Sequence, residues 1–100
     1  MHAKQFQMIS KAIADARRFE ILERIANVTE MACAKLADDL PVSQATISHH
    51  LKELSDAGLV DVRREAKFAY FRLERKVWSA YLKALRDRTA PKTRKRSSES

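Results

Sequence analysis

A chain of 100 residues with 45% hydrophobic side chains can bury one modest core, best completed by a second copy of itself. Its single cysteine excludes an internal disulfide framework and fits a reducing cytosol, its single glycine excludes a glycine-rich phosphate loop, and no apolar run approaches the roughly 20 residues that span a bilayer. The formal charge of +7 favours a polyanionic partner, but residues 86–100 hold six basic and two acidic side chains, so more than half of the excess lies at the C-terminal end.

The opening stretch, MHAKQFQMISK, has no apolar h-region, so no secretory signal is expected and the chain reads as cytoplasmic. Residues 4–14 place Phe6, Ile9 and Ile13 on one face of a short first helix. Asp15 can cap a second helix from Ala16 to about Asn27, with Phe19, Leu22 and Ala26 inward and Ile25 beside them. Ile21 falls at the edge of that face and is left unassigned; Arg17, Glu20 and Arg24 face out. Residues 28–31 form a connector. A third helix runs from about Ala32 to Leu40, with Leu36 and Leu40 inward and Lys35, Asp38 and Asp39 outward.

Pro41 ends that helix, because it cannot continue one and pushes its neighbour toward an extended shape. Ser43 is a good N-cap for the central helix, and Gly58 stands where a left-handed C-terminal residue is wanted. Ile47, Leu51 and Leu54 recur as one apolar stripe. The opposite face carries Ala45, Ser48, His49, Lys52 and Asp56, with Gln44 and Thr46 near the helix start. Such a short-chained polar face suits the floor of a DNA major groove, although an ordinary solvated amphipathic helix has the same pattern. A short helix, a three-residue turn and a longer helix follow one another with the spacing of a helix-turn-helix.

After Gly58 the period changes to two. Leu59 to Leu73 reads as a β-hairpin folded near Glu65–Ala66–Lys67. Its turn lacks Gly, Asn or Pro, so a longer, mobile tip is expected. Arg63, Arg64 and Lys67 cluster near that tip, where they are placed to touch phosphate; a solvated loop with incidental charge is the plainer reading. A last helix from about Arg75 to Arg88 carries Val77, Trp78, Tyr81, Leu82 and Leu85 at heptad-like spacing. That stripe suits packing against Phe6, Ile9 and Ile13 of the first helix and against the same elements of a second subunit. From Thr89 the composition turns to Pro, Lys, Arg, Ser and Thr, a disordered basic tail that either adds to DNA affinity or solubilises the end. The expected fold is therefore mainly α with a β-hairpin wing: four helices, a hairpin and a fifth helix in one domain over residues 1–88, with the tail at 89–100.

Four blocks, IADARRFEILERI, EMACAKLADDL, VSQATISHHLKELSDAGLV and RREAKFAYFRL, in that order and spacing, resemble the ArsR/SmtB family of bacterial winged-helix repressors. The resemblance covers about residues 9–85, and the third block is its most specific part. It implies a homodimer that binds a palindromic DNA operator, joined through its first and last helices. The central helix would lie in the major groove with Ser43, Gln44, Thr46, Ser48 and His49 facing the groove, and Arg63, Arg64 and Lys67 would be the wing's backbone contacts; Lys52, on the polar face of the central helix, is a further expected phosphate anchor. Soft-metal sensors of the family often carry two cysteines on the third helix in a pattern like ELCVCDL. The matching stretch, Glu30 to Leu36, has Ala32 and Ala34 at those positions and Cys33 between them. Other members bind zinc through carboxylates and histidines on the last helix, which here has one Asp and no His. No metal and no cofactor are expected. Two local features also depart from the family: Ala16 stands where a proline follows the aspartate, and Ala66 where the wing turn has a glycine.

His49 and His50 point about 100° apart on a helix and cannot chelate one ion together; DNA contact suits His49 and packing suits His50. Cys33 has no second cysteine for an intramolecular disulfide and reads as a small, partly buried side chain. Tyr70, Phe71, Trp78 and Tyr81 read as core and interface rather than as a ligand pocket. No catalytic constellation is present, so no enzyme is expected. The expected partners are double-stranded DNA and a second copy of the chain, with no membrane and with any effector open. The alternative is a winged-helix module that docks a larger protein through its last helix.

Overall fold

The central helix is positioned by what lies at its two ends. A computed structural model describes residues 1–91 and contains five helices and a small sheet. Helices α1 (Ala3–Ala12) and α2 (Ala16–Ala26) are followed by strand β1 (Met31–Ala32), then α3 (Cys33–Asp39) and the central helix α4 (Gln44–Asp56). Strands β2 (Val60–Glu65) and β3 (Phe68–Leu73) lead to α5 (Arg75–Thr89). The winged helix-turn-helix expected from the sequence is the observed architecture. Among the described residues no helix is long and apolar enough to cross a membrane. Residues 92–100, most of the segment read as a basic tail, lie outside the described residues.

Asp15 caps α2 as expected, its carboxylate accepting from the Arg18 amide at 2.9 Å. Ser43 does the same for α4, its hydroxyl accepting from the Thr46 amide at 3.1 Å. At the other end Gly58 adopts φ +81, its amide donates to Ser55 O and the Leu59 amide donates to Leu54 O. That pair of bonds closes the last turn of α4 and satisfies carbonyls the helix leaves open. It also reverses the chain into β2. Gln5 of α1 packs over this turn and donates to Ala57 O at 3.3 Å.

The core is Ile9, Ile21, Leu22, Ile25, Leu36, Ile47, Leu51, Leu54 and Leu59, all essentially inaccessible, with Tyr81 and Phe71 against them. The α4 stripe lies where it was expected. Ile21, unassigned from periodicity, is fully buried, while Phe19 and Ala26 are only half-buried. The reason is that α2 is covered from two directions, by α4 and by β3, so its buried arc is wider than one stripe.

The hairpin differs from expectation in two ways. Residue pairs run from Val60–Leu73 to Glu65–Phe68, so the tip is a tight two-residue turn, Ala66–Lys67, rather than a longer loop. Ala66 supplies the positive φ, +54, that such turns need, without being a glycine. In addition, Met31 and Ala32 are not connector and helix start but a third strand, antiparallel to β3 through Met31–Phe71 and Ala32–Tyr70. Two residues are too few to show a period-two signal in sequence.

The two left-handed residues should respond oppositely to exchange. Gly58→Ala should lose about 1–2 kcal/mol, since it forces a Cβ into φ +81 and within 2.7 Å of Gln5 Nε2. Ala66→Gly should gain up to about 1 kcal/mol by relieving the same strain, less the added freedom of the unfolded chain. Urea unfolding measures both; equal stability of Gly58→Ala and the parent would refute the strain argument.

Candidate nucleic-acid interface

Burying Ile47, Leu51 and Leu54 leaves the other side of α4 in solvent. Gln44, Ala45, Thr46, Ser48, His49 and Lys52 are all exposed, as is Ser43 at the cap. Every α4 residue expected to face bases is thus open to solvent. Ser43 Oγ also donates to Thr46 Oγ1 at 3.0 Å, so the first turn presents a fixed pair of hydroxyls. Lys52 donates to Asp56 at 2.8 Å, one turn on, and that bond raises its pKa. Lys52 therefore stays charged, with its charge partly shared.

The wing residues divide between the two faces of the sheet, because successive residues of a strand point to opposite sides. Arg64 shares a face with Val62 and lines a cleft of about 450 Å³ between α4 and the hairpin, whose other polar walls are Ser48, Lys52 and Ser55. Lys67 stands exposed at the tip, its ammonium 5.7 Å from the Phe68 ring centroid. Neither has an ion pair among the described residues. Arg63 lies on the other face, paired with Glu30 and Glu65 and stacked 4.5 Å over the Tyr70 ring. Arg63 is therefore not brought together with Arg64 and Lys67. Cys33 is half-buried on the wall of the same cleft as Arg64.

The residues expected at a subunit interface also divide. Ile9 and Tyr81 are buried within the protomer, and Phe6, Ile13, Val77 and Trp78 are half-buried against the same core. Tyr81 shares a hydrogen bond of 2.9 Å with Ser10 and lies 5.1 Å from the Phe6 ring, joining α5 to α1. Leu82 and Leu85 remain 42% and 39% exposed, with Met8 of α1 also open to solvent.

Sequence reasoning missed the groups that hold α4 from behind. Arg18 of α2 donates through Nε to Nδ1 of His50 at 3.2 Å and through Nη1 to Ala12 O at 3.2 Å. His50, 8% exposed on the inner side of α4, is thus an acceptor at Nδ1, which leaves the ring proton on Nε2. Burial lowers its pKa; Asp15 pulls the other way, and Arg18, His49 and Arg17 add to the lowering. A pairing across 32 residues leaves no periodic trace that could have revealed it.

A helix-turn-helix domain family model matches residues 13–63. An HTH-type transcriptional regulator of Methanocaldococcus jannaschii is 40% identical over 63 residues, 63% of this chain and 71% of that one. The arsenical resistance operon repressor of Staphylococcus aureus is 33% identical over 73 residues, 73% of this chain and 69% of that one. The chain belongs to the ArsR family of winged helix-turn-helix transcriptional regulators. Its fold also superposes on the homodimeric winged helix-turn-helix DNA-binding domain of a possible ArsR-family regulator from Mycobacterium bovis, with TM-score 0.70 and 27% identity over 94% of this chain and 89% of that one. Within this ArsR-family protein, Ala32 and Ala34 offer no ligand atoms at the positions where soft-metal sensors carry thiolates. Among the described residues no three His, Cys, Asp or Glu side chains converge.

His50 makes stability pH-dependent. Its folded pKa lies below the usual 6.5, so between those values the unfolded chain binds a proton that the folded one refuses. Stability should therefore fall as pH drops below about 6.5 and level off under the folded pKa. Urea midpoints at successive pH values should show that acid limb in the parent and a shallower one in His50→Gln.

Proposed function

We propose that this ArsR-family protein is a cytoplasmic, homodimeric repressor whose residues 1–88 form one DNA-binding and dimerisation unit for a palindromic operator. The observation that carries this reading is the exposed polar face of α4 beside a cleft edged by Lys52 and Arg64. Two α4 helices, one per subunit, enter successive major grooves about 34 Å apart. Ser43, Gln44, Thr46, Ser48 and His49 face base edges. Lys52, Arg64 and Lys67 contact phosphates, which position the protein without reading sequence. Leu82 and Leu85 with Met8, exposed and apolar, form the seam between subunits, and the homodimeric relative supports a two-subunit assembly. Occupied operator excludes transcription.

The reading assigns no metal to the switch. Ala32 and Ala34 cannot ligate, one half-buried Cys33 does not make a soft-metal site, and α5 offers Asp87 but no histidine. Operator affinity should therefore be unchanged on titration with zinc, copper or arsenite.

Selection of bound duplexes from a random pool tests the core of the proposal and should return an inverted repeat. Gln44→Ala should then cost about 1–3 kcal/mol on the selected duplex and relax preference at one base step in each half-site. A uniform loss over all sequences would remove Gln44 from the base-reading set. Leu82→Glu with Leu85→Glu should elute as a monomer by gel filtration and lose operator binding. A persisting dimer would place the seam elsewhere.

A further inference from the structure

The outer face of the wing sheet carries a charge arrangement that DNA binding by α4 does not use. Glu30 precedes β1, Asp61, Arg63 and Glu65 lie on β2, and Arg72 lies on β3, all pointing away from α4. Three carboxylates face two guanidiniums there, a net charge of minus one. Arg63 is enclosed within this group. Its Nε donates to Glu30 Oε2 at 3.0 Å and its Nη2 to Glu30 Oε1 at 2.8 Å, a two-pronged pair, while Nη1 donates to Glu65. One flat side of the guanidinium lies over Tyr70. The Arg63 bond is also what lowers the Glu30 pKa most. A phosphate would have to displace two carboxylates to reach this cation, on a face whose net charge repels it.

The connectivity says what the pair does instead. β1 and β2 are not neighbours; β3 lies between them. Arg63 therefore reaches across Tyr70 of the central strand to the residue just before β1. β1 runs directly into α3, the first helix of the helix-turn-helix. Two-residue β1 pairs with β3 only at Met31–Phe71 and Ala32–Tyr70, and the side-chain pair adds a second tie between the hairpin and that end. Most exposed ion pairs do little, but a bidentate arginine fork held against an aromatic ring is the exception. We infer that Arg63 is a positioning residue, clamped by Glu30, that sets the wing against the helix-turn-helix so that Arg64 and Lys67 meet the DNA backbone. This inference rests on the DNA-binding reading above and refines it.

The sign of one substitution separates this from a direct contact. Removing a carboxylate from a DNA-binding protein normally tightens binding, and freeing a phosphate-seeking Arg63 would also steepen the salt dependence. The clamp requires the reverse. On the duplex selected by the parent protein, Arg64→Ala and Lys67→Ala should each flatten the log affinity against log salt slope by about 0.9. Glu30→Gln should weaken binding by about tenfold or more and flatten the slope, because both contacts are lost with the wing. Adding Lys67→Ala to Glu30→Gln should then change nothing further. Arg63→Lys keeps the charge but not the fork, and should bind as weakly as Glu30→Gln. Gln44→Ala should still relax specificity in the Glu30→Gln background, which a misfolded protein would not show. Equal or tighter binding by Glu30→Gln, or parent-like binding by Arg63→Lys, overturns the clamp alone. A parent protein that binds no duplex overturns the DNA-binding reading and the clamp with it.

Discussion

An α-helix can bury only one face, and in this protein the buried face of α4 decides everything that follows. Ile47, Leu51 and Leu54 close over the core formed by α2 and α3, and each is at most 2% exposed. With that stripe fixed, a rotation of α4 by one residue would place Ser48 or Lys52 against Leu36 and Ile25. Burying an unpaired hydroxyl or ammonium costs several kcal/mol, on the order of what a domain this size has to spare. The outward face is therefore set by the inward one. His50 sharpens this: it sits on the inner side as the only buried polar side chain of α4, and Arg18 satisfies it there. An acceptor in that place tolerates only one rotation of the helix.

Charge is distributed along the same lines. Several basic groups of the described residues are paired locally: Arg17 with Glu20, Lys35 with Asp39, Lys83 with Asp87, Arg72 with Asp61. Such pairs do little for stability, since exposed ions gain little from each other in water. Their effect is on the field. They cancel charge over α3 and the outer face of the sheet, while Arg64 and Lys67 stand beside the α4 face with no ion pair among the described residues. A chain that is only mildly basic outside its C-terminal end can in this way still present a localised basic edge.

Most of this was legible in the sequence for a physical reason: the relevant signals are local. Asp15, Ser43 and Gly58 act on their own helix ends within a few residues, and the α4 stripe repeats every turn. The two misreadings in the hairpin region fail the same test. β1 is too short to have a period, and the tight turn hides in Ala66, whose positive φ no residue type announces. The site was legible to a similar depth. Exposure of Ser48 and His49 follows from helix periodicity, and that of Gln44 and Thr46 from their place in the first turn of α4. The partners of His50 and Arg63 do not, because Arg18 and Glu30 lie 32 and 33 residues away and meet them only in the folded chain. For Arg63 the strand period did hold the clue: it alternates with Val62 and Arg64, so it could not share their face.

Ile9 and Tyr81, expected to pack between α1 and α5 and at a subunit seam, are buried within the protomer, and that burial connects the parts of the molecule. A heptad-like stripe on α5 is wide enough to serve two partners. Tyr81 and Trp78 turn inward and stack 5.6 Å apart, fastening α5 to α1, while Leu82 and Leu85 turn outward. α1 in turn holds the C-terminal end of α4 through Gln5 on Ala57 O, over the Gly58 turn that starts the wing. One short helix thus touches α5, the end of α4 and the root of the hairpin. In the proposed dimer, α1 stands between the seam residues of α5 and the C-terminal end of α4. The distance between the two recognition faces is then set by how Gln5, Phe6 and Ile9 pack, and no flexible linker lies between the surface that joins the subunits and the surface that reads DNA.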